Sequence, residues 1–166
     1  MGSTQNIPPI VKVGLSIPSD VNAIARPVDQ IMDLLRRANS VAGAEREVEA
    51  ALREALGNAV LHGNQQDRTK RVQLRVCFEP GAGAAFVVSD EGNGFDAGHL
   101  PDPSDEANLL SERGRGIFLM KHFMDEVQFE KGGAEVRMRK GSLHVPRGRH
   151  TARHHAPATH GLQKAG

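Results

Sequence analysis

An acid and an amide stand four residues apart, Glu54 and Asn58, in the stretch Glu54-Ala55-Leu56-Gly57-Asn58-Ala59-Val60-Leu61-His62-Gly63-Asn64. On a helix this spacing puts both on one face, about 6 Å apart along the axis. A neutral amide oxygen at Asn58 suits a magnesium ion that keeps most of its waters. Glu54, one turn away, can take a proton from an attacking hydroxyl or water. His62 lies a further turn along, within reach of a phosphate. A second candidate is Asp90-Glu91-Gly92-Asn93-Gly94-Phe95, which follows the apolar run Phe86-Val87-Val88. A carboxylate at a strand end can accept a hydrogen bond from an exocyclic amine such as that of adenine. Gly92 and Gly94 permit close approach of a flat ring. The third is Gly114-Arg115-Gly116-Ile117. Read as the entry to a helix, it offers unpaired N–H groups to a phosphate, and Arg115 adds a cation. Each segment alone has an ordinary explanation as a polar helix flank, a turn or a cap. Together they describe a pocket for a nucleotide, its metal and its phosphates.

The elements that must position these groups follow from periodicity. Val11, Val13, Leu15 and Ile17 alternate with polar or small residues and predict a strand. Residues 21–38 carry Ile24, Val28, Ile31, Met32 and Leu35 on one stripe, so they predict a helix with Pro27 either kinking it or lying in its first turn. A second helix is expected over 44–61, where Val48, Ala51, Leu52, Ala55, Leu56, Ala59 and Val60 keep the i, i+3, i+4 spacing. Residues 71–78 and 84–89 read as a hairpin. A polar loop is expected from 91 to 113, the length of a lid or binding loop. A helix over 115–123 and strands over 126–129 and 134–139 complete the order β-α-α-β-β-loop-α-β-β. Hairpins and paired helices favour an α+β layered sandwich over a doubly wound parallel sheet.

Bulk properties narrow the class. The chain has 166 residues, 39% apolar and 25% charged, with a net charge of +1. That is the size and composition of one globular domain. No apolar run approaches a membrane span, and the N-terminal residues lack the basic and apolar regions of a secretory leader. The single cysteine, Cys77, excludes an internal disulfide and reads as a reduced core residue of a cytoplasmic protein. After Lys140 the chain has Arg147, Arg149, Arg153 and Lys164 and no acid, so the tail carries +4 and the first 140 residues −3. A mildly acidic body argues against direct nucleic-acid binding. The tail also holds five of the eight histidines, in no ligand-like spacing, and reads as disordered. The expected division is a flexible segment over 1–9, a domain over 10–140 and a basic, His-rich tail over 141–166.

The three segments, in order and at these separations, resemble the boxes of the GHKL ATPase superfamily. Within it they are most similar to the bacterial anti-sigma factor/serine kinase family of the RsbW and SpoIIAB type. The Glu54–Asn64 stretch matches the N box, Asp90-x-Gly92-x-Gly94 the first glycine box, and the residues around Gly114-Arg115-Gly116 the second. The resemblance covers about residues 10–140. It implies a two-layer α/β sandwich of the Bergerat, or histidine-kinase-like ATPase, type, with ATP and magnesium in a cleft beneath a lid. It implies Asp90 for adenine, Asn58 for magnesium, Gly114–Gly116 for phosphates, and Glu54 as the base. The implied activity is serine/threonine protein kinase activity toward an anti-anti-sigma partner of the STAS type, with a sigma factor as second partner and a homodimer allowed. A non-catalytic, ATP-dependent binding module is the alternative. One departure stands out: Gly133-Ala134 replaces the family's usual Gly-Thr, removing a hydroxyl near the adenine.

Overall fold

The computed structural model describes residues 10–94 and 112–141. Five strands form one antiparallel sheet: β1 (Val11–Pro18), β2 (Arg71–Glu79), β3 (Gly83–Ser89), β4 (Glu126–Glu130) and β5 (Glu135–Gly141), in the spatial order β1-β2-β3-β5-β4. Register follows the alternation of the sequence. Leu15 faces Leu74, Leu74 faces Val88, Val88 faces Val136, and Val136 faces Phe129. This row points to the inner face. The helices α1 (Ala25–Arg37), α2 (Glu45–Asn58) and α3 (Glu112–Phe123) supply the second layer. Val28, Ile31, Met32 and Leu35 of α1 join Val48, Leu52 and Leu56 of α2 and the inner strand residues in one buried cluster. The result is the expected α+β two-layer sandwich.

Local chemistry explains the boundaries. The Asp20 carboxylate accepts the Asn22 N–H at 2.9 Å and opens a short 3-10 turn (Val21–Ala23) ahead of α1. Pro27 falls in the first turn of α1, where a missing N–H costs nothing, so the helix starts there without a kink. Asn39, at φ 52°, ends α1 in the left-handed conformation that asparagine tolerates.

Three expectations are corrected. The second helix does not run evenly to residue 61. It loosens into a π-helical turn (Ala59–Gly63), closed by the Asn64 N–H on the Ala59 carbonyl at 2.8 Å. The third helix begins at Glu112 rather than 115, so Gly114 and Gly116 lie inside it. Cys77 is not a core residue. It pairs with Lys12 and Ala85 on the outer face and is partly exposed, because β2 buries Val72, Leu74, Val76 and Phe78 and turns the odd positions outward. Residues 1–9, the expected lid as far as 111 with Leu109 and Leu110, Phe95, and the tail from 142 lie outside the described residues. Among the described residues no helix is long and apolar enough to cross a membrane.

Candidate active site

A cleft opens between α2, the π turn, α3 and the end of the sheet. Its walls are apolar: Ala55, Val88, Ile117, Met120, Phe129 and Val136. Asn58, His62, Asp90 and Gly94 place polar groups around them. A concave apolar slot with a few convergent polar groups is the usual form of a small-molecule site.

Asp90 directly follows β3, and its N–H donates to the Ala134 carbonyl at 3.0 Å, which ties it to the turn before β5. Its Oδ1 accepts the Gly92 N–H at 2.8 Å, so the carboxylate orders the turn that follows it. The backbone packs tightly here. A Cβ on Gly63 would stand 2.3 Å from the Asp90 carboxylate, and one on Gly92 would stand 2.1 Å from the Gly63 carbonyl oxygen. Gly94 combines a φ of 74° with a close approach to the Gly132 carbonyl, so both conformation and space require glycine.

Glu54 and Asn58 stand one turn apart on α2, both half-buried, with Asn58 lining the cleft. They face α3, the helix that packs on α2. The contact point is Gly116, which is buried. A Cβ there would lie 2.6 Å from Glu54 Oε2 and 3.3 Å from Asn58 Nδ2. Gly116 thus has a different use from the one its position in the sequence suggests. As the fifth residue of α3 its N–H falls beyond the four that a helix start leaves unpaired. What the missing side chain provides is space for the acid and the amide. Arg115 is exposed beside it, as are Lys121 and His62.

The structure therefore brings Asn58, His62, Asp90 and Gly94 to one cleft, with Glu54 and Gly116 in contact at its edge and Gly92 behind Asp90. It also adds residues that the motifs did not single out. Ile117, Met120 and Phe129 wall the cleft, and Asn64 lies fully buried behind it, at 0% exposure. Ala134 lines the cleft as well and presents only its backbone carbonyl to Asp90, consistent with the absent hydroxyl. Among the described residues no group of three or more His, Cys, Asp or Glu side chains could hold a metal ion by itself.

Behind Asp90, on the outer face of the sheet, Glu135 is buried. Its carboxylate accepts hydrogen bonds from Ser89 (2.8 Å), Lys131 (2.7 Å), Arg75 (3.2 Å) and Arg137 (2.8 Å). Burial by itself would raise its pKa. The hydrogen bonds from Lys131 and Ser89 and the charges of Lys131 and Arg137 outweigh that and hold it at about 2.

The pattern of the histidine kinase-like ATPase domain matches residues 17–140, and the chain belongs to that family. Membership in a family of ATPase domains implies use of ATP. The chain is similar to the serine-protein kinase RsbW of Bacillus subtilis, 34% identical over 102 residues, covering 57% of this chain and 62% of the relative. It is similar to RsbW of Staphylococcus epidermidis, 34% identical over 98 residues, covering 54% and 61%. It is also similar to the anti-sigma F factor of Geobacillus stearothermophilus, 35% identical over 86 residues, covering 51% and 58%. The chain thus spans about three fifths of the length of these relatives.

Proposed function

We propose that this chain is an ATP-binding anti-sigma regulatory factor with serine/threonine protein kinase activity. In this reading it phosphorylates an anti-anti-sigma partner of the STAS type and sequesters a sigma factor. The observation that carries the reading is the arrangement of the cleft: Asp90 and Asn58 line one apolar slot, and Glu54 and Asn58 pack against Gly116 beside it. Its similarity to a serine-protein kinase and to an anti-sigma F factor supports the same reading. The domain then spans residues 10–140, and the setting is the cytoplasm, where such partners would meet it.

The site fits an adenine nucleotide. Val88, Ile117, Met120, Phe129 and Val136 would sandwich a flat ring, and Asp90 would accept its exocyclic amine. Gly92 and Gly94 would let backbone approach the ring. The phosphates would then run toward α3, where Gly114, Arg115 and Gly116 line the first turns and Arg115 offers charge. His62, exposed at the cleft mouth, would add a donor. Asn58 supplies one neutral oxygen donor, which suits magnesium that keeps its waters, and no cage of carboxylates is needed. When bound, the ion would neutralise phosphate charge.

Transfer forms a bond between the partner's serine oxygen and the γ-phosphorus as the bond to the bridging oxygen of ADP breaks. Glu54 would take the hydroxyl proton. Most of the rate comes from positioning and charge neutralisation in such reactions. The test is to incubate the protein with ATP, magnesium and STAS-type domains from the same genome and to map phosphoserine or phosphothreonine. Phosphate on one partner, dependent on Glu54, is the expected result. Tight ATP binding with no transfer to any partner would reduce the protein to a binding module.

A further inference from the structure

Asn64 closes the N-box stretch, yet it does not face the cleft. It is 0% exposed and joins three parts of the fold. Its own N–H closes the π turn on the Ala59 carbonyl at 2.8 Å. Its Nδ2 donates to the Arg71 carbonyl at 3.0 Å, at the start of β2. Its Oδ1 accepts the Glu91 N–H at 2.8 Å, in the residue immediately after Asp90. Glu91 is held a second time, because its Oε2 accepts the Arg71 N–H at 2.6 Å.

We propose that Asn64 is a positioning residue that holds Asp90 in register for the nucleobase and thereby sets the preference for adenine over guanine. The proposal rests on the reading of Asp90 as the adenine contact. A buried group facing one carbonyl and one N–H must donate and accept at once. An amide does both, an ionised carboxylate only accepts, and an apolar side chain does neither. The neighbouring contacts leave the chain no slack. A Cβ on Gly63 or Gly92 would collide with the Asp90 carboxylate or the facing backbone, so this crossing holds only while its ends stay fixed. Asp90 is then clamped on both sides, by Ala134 through its own N–H and by Asn64 through the next residue.

Register matters because the two purines differ at the contacted position. Adenine presents an amine to a carboxylate. Guanine presents a carbonyl oxygen, so acceptor meets acceptor. A carboxylate free to swing away loses that discrimination along with some affinity.

The test measures ADP and GDP dissociation constants by calorimetry, with magnesium, for the full chain and for Asn64→Ala, Asn64→Asp, Asp90→Asn and Val48→Ala. Asn64→Ala should lower the ADP-over-GDP preference by about tenfold. Asn64→Asp keeps the acceptor toward Glu91 and should lower it less. Val48→Ala, a core change outside the cleft lining, should reduce the melting temperature and leave the preference intact, which separates positioning from general stability. A folded Asn64→Ala with unchanged preference, beside an Asp90→Asn that loses it, overturns the positioning role alone. If Asp90→Asn also leaves affinity and preference unchanged, the adenine reading itself fails. Should both Asn64 variants fail to fold, the wild-type chain still decides. The Glu91 amide should exchange slowly with solvent, and fast exchange would show that the clamp does not hold.

Discussion

Glu135 stands on the outer face of the sheet with its side chain fully buried, while Glu54 stands half-buried on the inner side, at the edge of the cleft. Around Glu135 the fold gathers Ser89, Arg75, Lys131 and Arg137. Around Glu54 the described residues supply no donor to the carboxylate. Among the described residues no ion pair or hydrogen bond engages its carboxylate, and Gly116, which has no side chain, makes the room that the carboxylate occupies. The difference separates two uses of one residue type. A carboxylate surrounded by donors is stabilised as an anion and is a poor proton acceptor, whereas a carboxylate without bound donors can exchange a proton with a ligand. The two also act on opposite sides of Asp90. Glu135 fixes Ser89 just before it, and Glu54 stands on α2 beside Asn58, which lines the cleft with Asp90.

The most direct way to break this comparison is Glu54→Gln. If Glu54 is the base, phosphoryl transfer should fall by about 10²–10⁴-fold while nucleotide affinity and melting temperature stay close to wild type. Single-turnover transfer from ATP, together with calorimetry, separates the two effects. Unchanged transfer would leave the two glutamates without the functional contrast drawn above.

Asp90→Asn should have the next largest effect. It keeps the size of the side chain but turns one of the two acceptor oxygens into a donor, so either the Gly92 N–H or the proposed adenine amine loses its acceptor. Losing a hydrogen bond to a charged acceptor should cost about 1.5–3 kcal/mol of ATP affinity, with the fold retained. Undiminished affinity in a folded variant would remove Asp90 as the base contact and shift attention to Ala134 and Phe129.

How much of this was legible in the sequence differs between parts of the site. Glu54 and Asn58 could be placed on one face because α2 keeps an unbroken apolar stripe from Val48 to Leu56. Asp90 could be placed because an apolar run stops just before it. The strands appear in the sequence as alternation or, for β3, as a short apolar run, and even the position of Pro27 in a first turn was among the expected options. What periodicity does not encode is contact across the fold. Gly116 reads locally as a helix entry, and only its packing on α2 reveals that it makes room for Glu54. Asn64 and Glu135 are given no role by their neighbours in sequence, since nothing near them announces that Arg71, Glu91 or Arg75 will meet them. Cys77 was misjudged for a related reason. Its neighbours are apolar on both sides, and the strand's two faces can be told apart only by register.

Glu135→Gln tests the other half of the comparison. Folding lowers the pKa of this group from 4.5 to about 2, so the ionised form favours the fold. Its contribution should be fully present above about pH 4.5 and lost as pH falls through about 2. At neutral pH the substitution leaves Arg75, Lys131 and Arg137 without their shared anion. The cost should be about 1–2 kcal/mol, below the full electrostatic value because those cations are exposed to solvent. Thermal melts at pH 7 and near pH 2.5 measure it. The variant should lose stability at pH 7 and differ less from wild type in acid. An equal difference at both values would mean that packing, not charge, holds this site.

The smallest effect should come from the surface network that joins the first two helices. Arg53 on α2 donates to Glu49 at 2.9 Å and to Asp29 of α1 at 3.1 Å, with 40% of its side chain exposed. Geometrically it resembles the Glu135 cluster, with one charge shared among several partners. Physically it differs, because water reaches every member, screens the attraction and competes for each hydrogen bond. Holding a long arginine side chain in one place also costs conformational entropy. Arg53→Met keeps much of the aliphatic stem and removes the charge, so it should cost about 0.2–1 kcal/mol. That difference should shrink further in about 1 M salt, where screening is complete within a few ångströms. Nucleotide affinity should not change, since neither Arg53 nor its partners line the cleft. Melting curves at low and high salt decide the matter. A salt-independent loss of several kcal/mol would show that exposure does not separate the two networks, and that α1 depends on Arg53 for its docking.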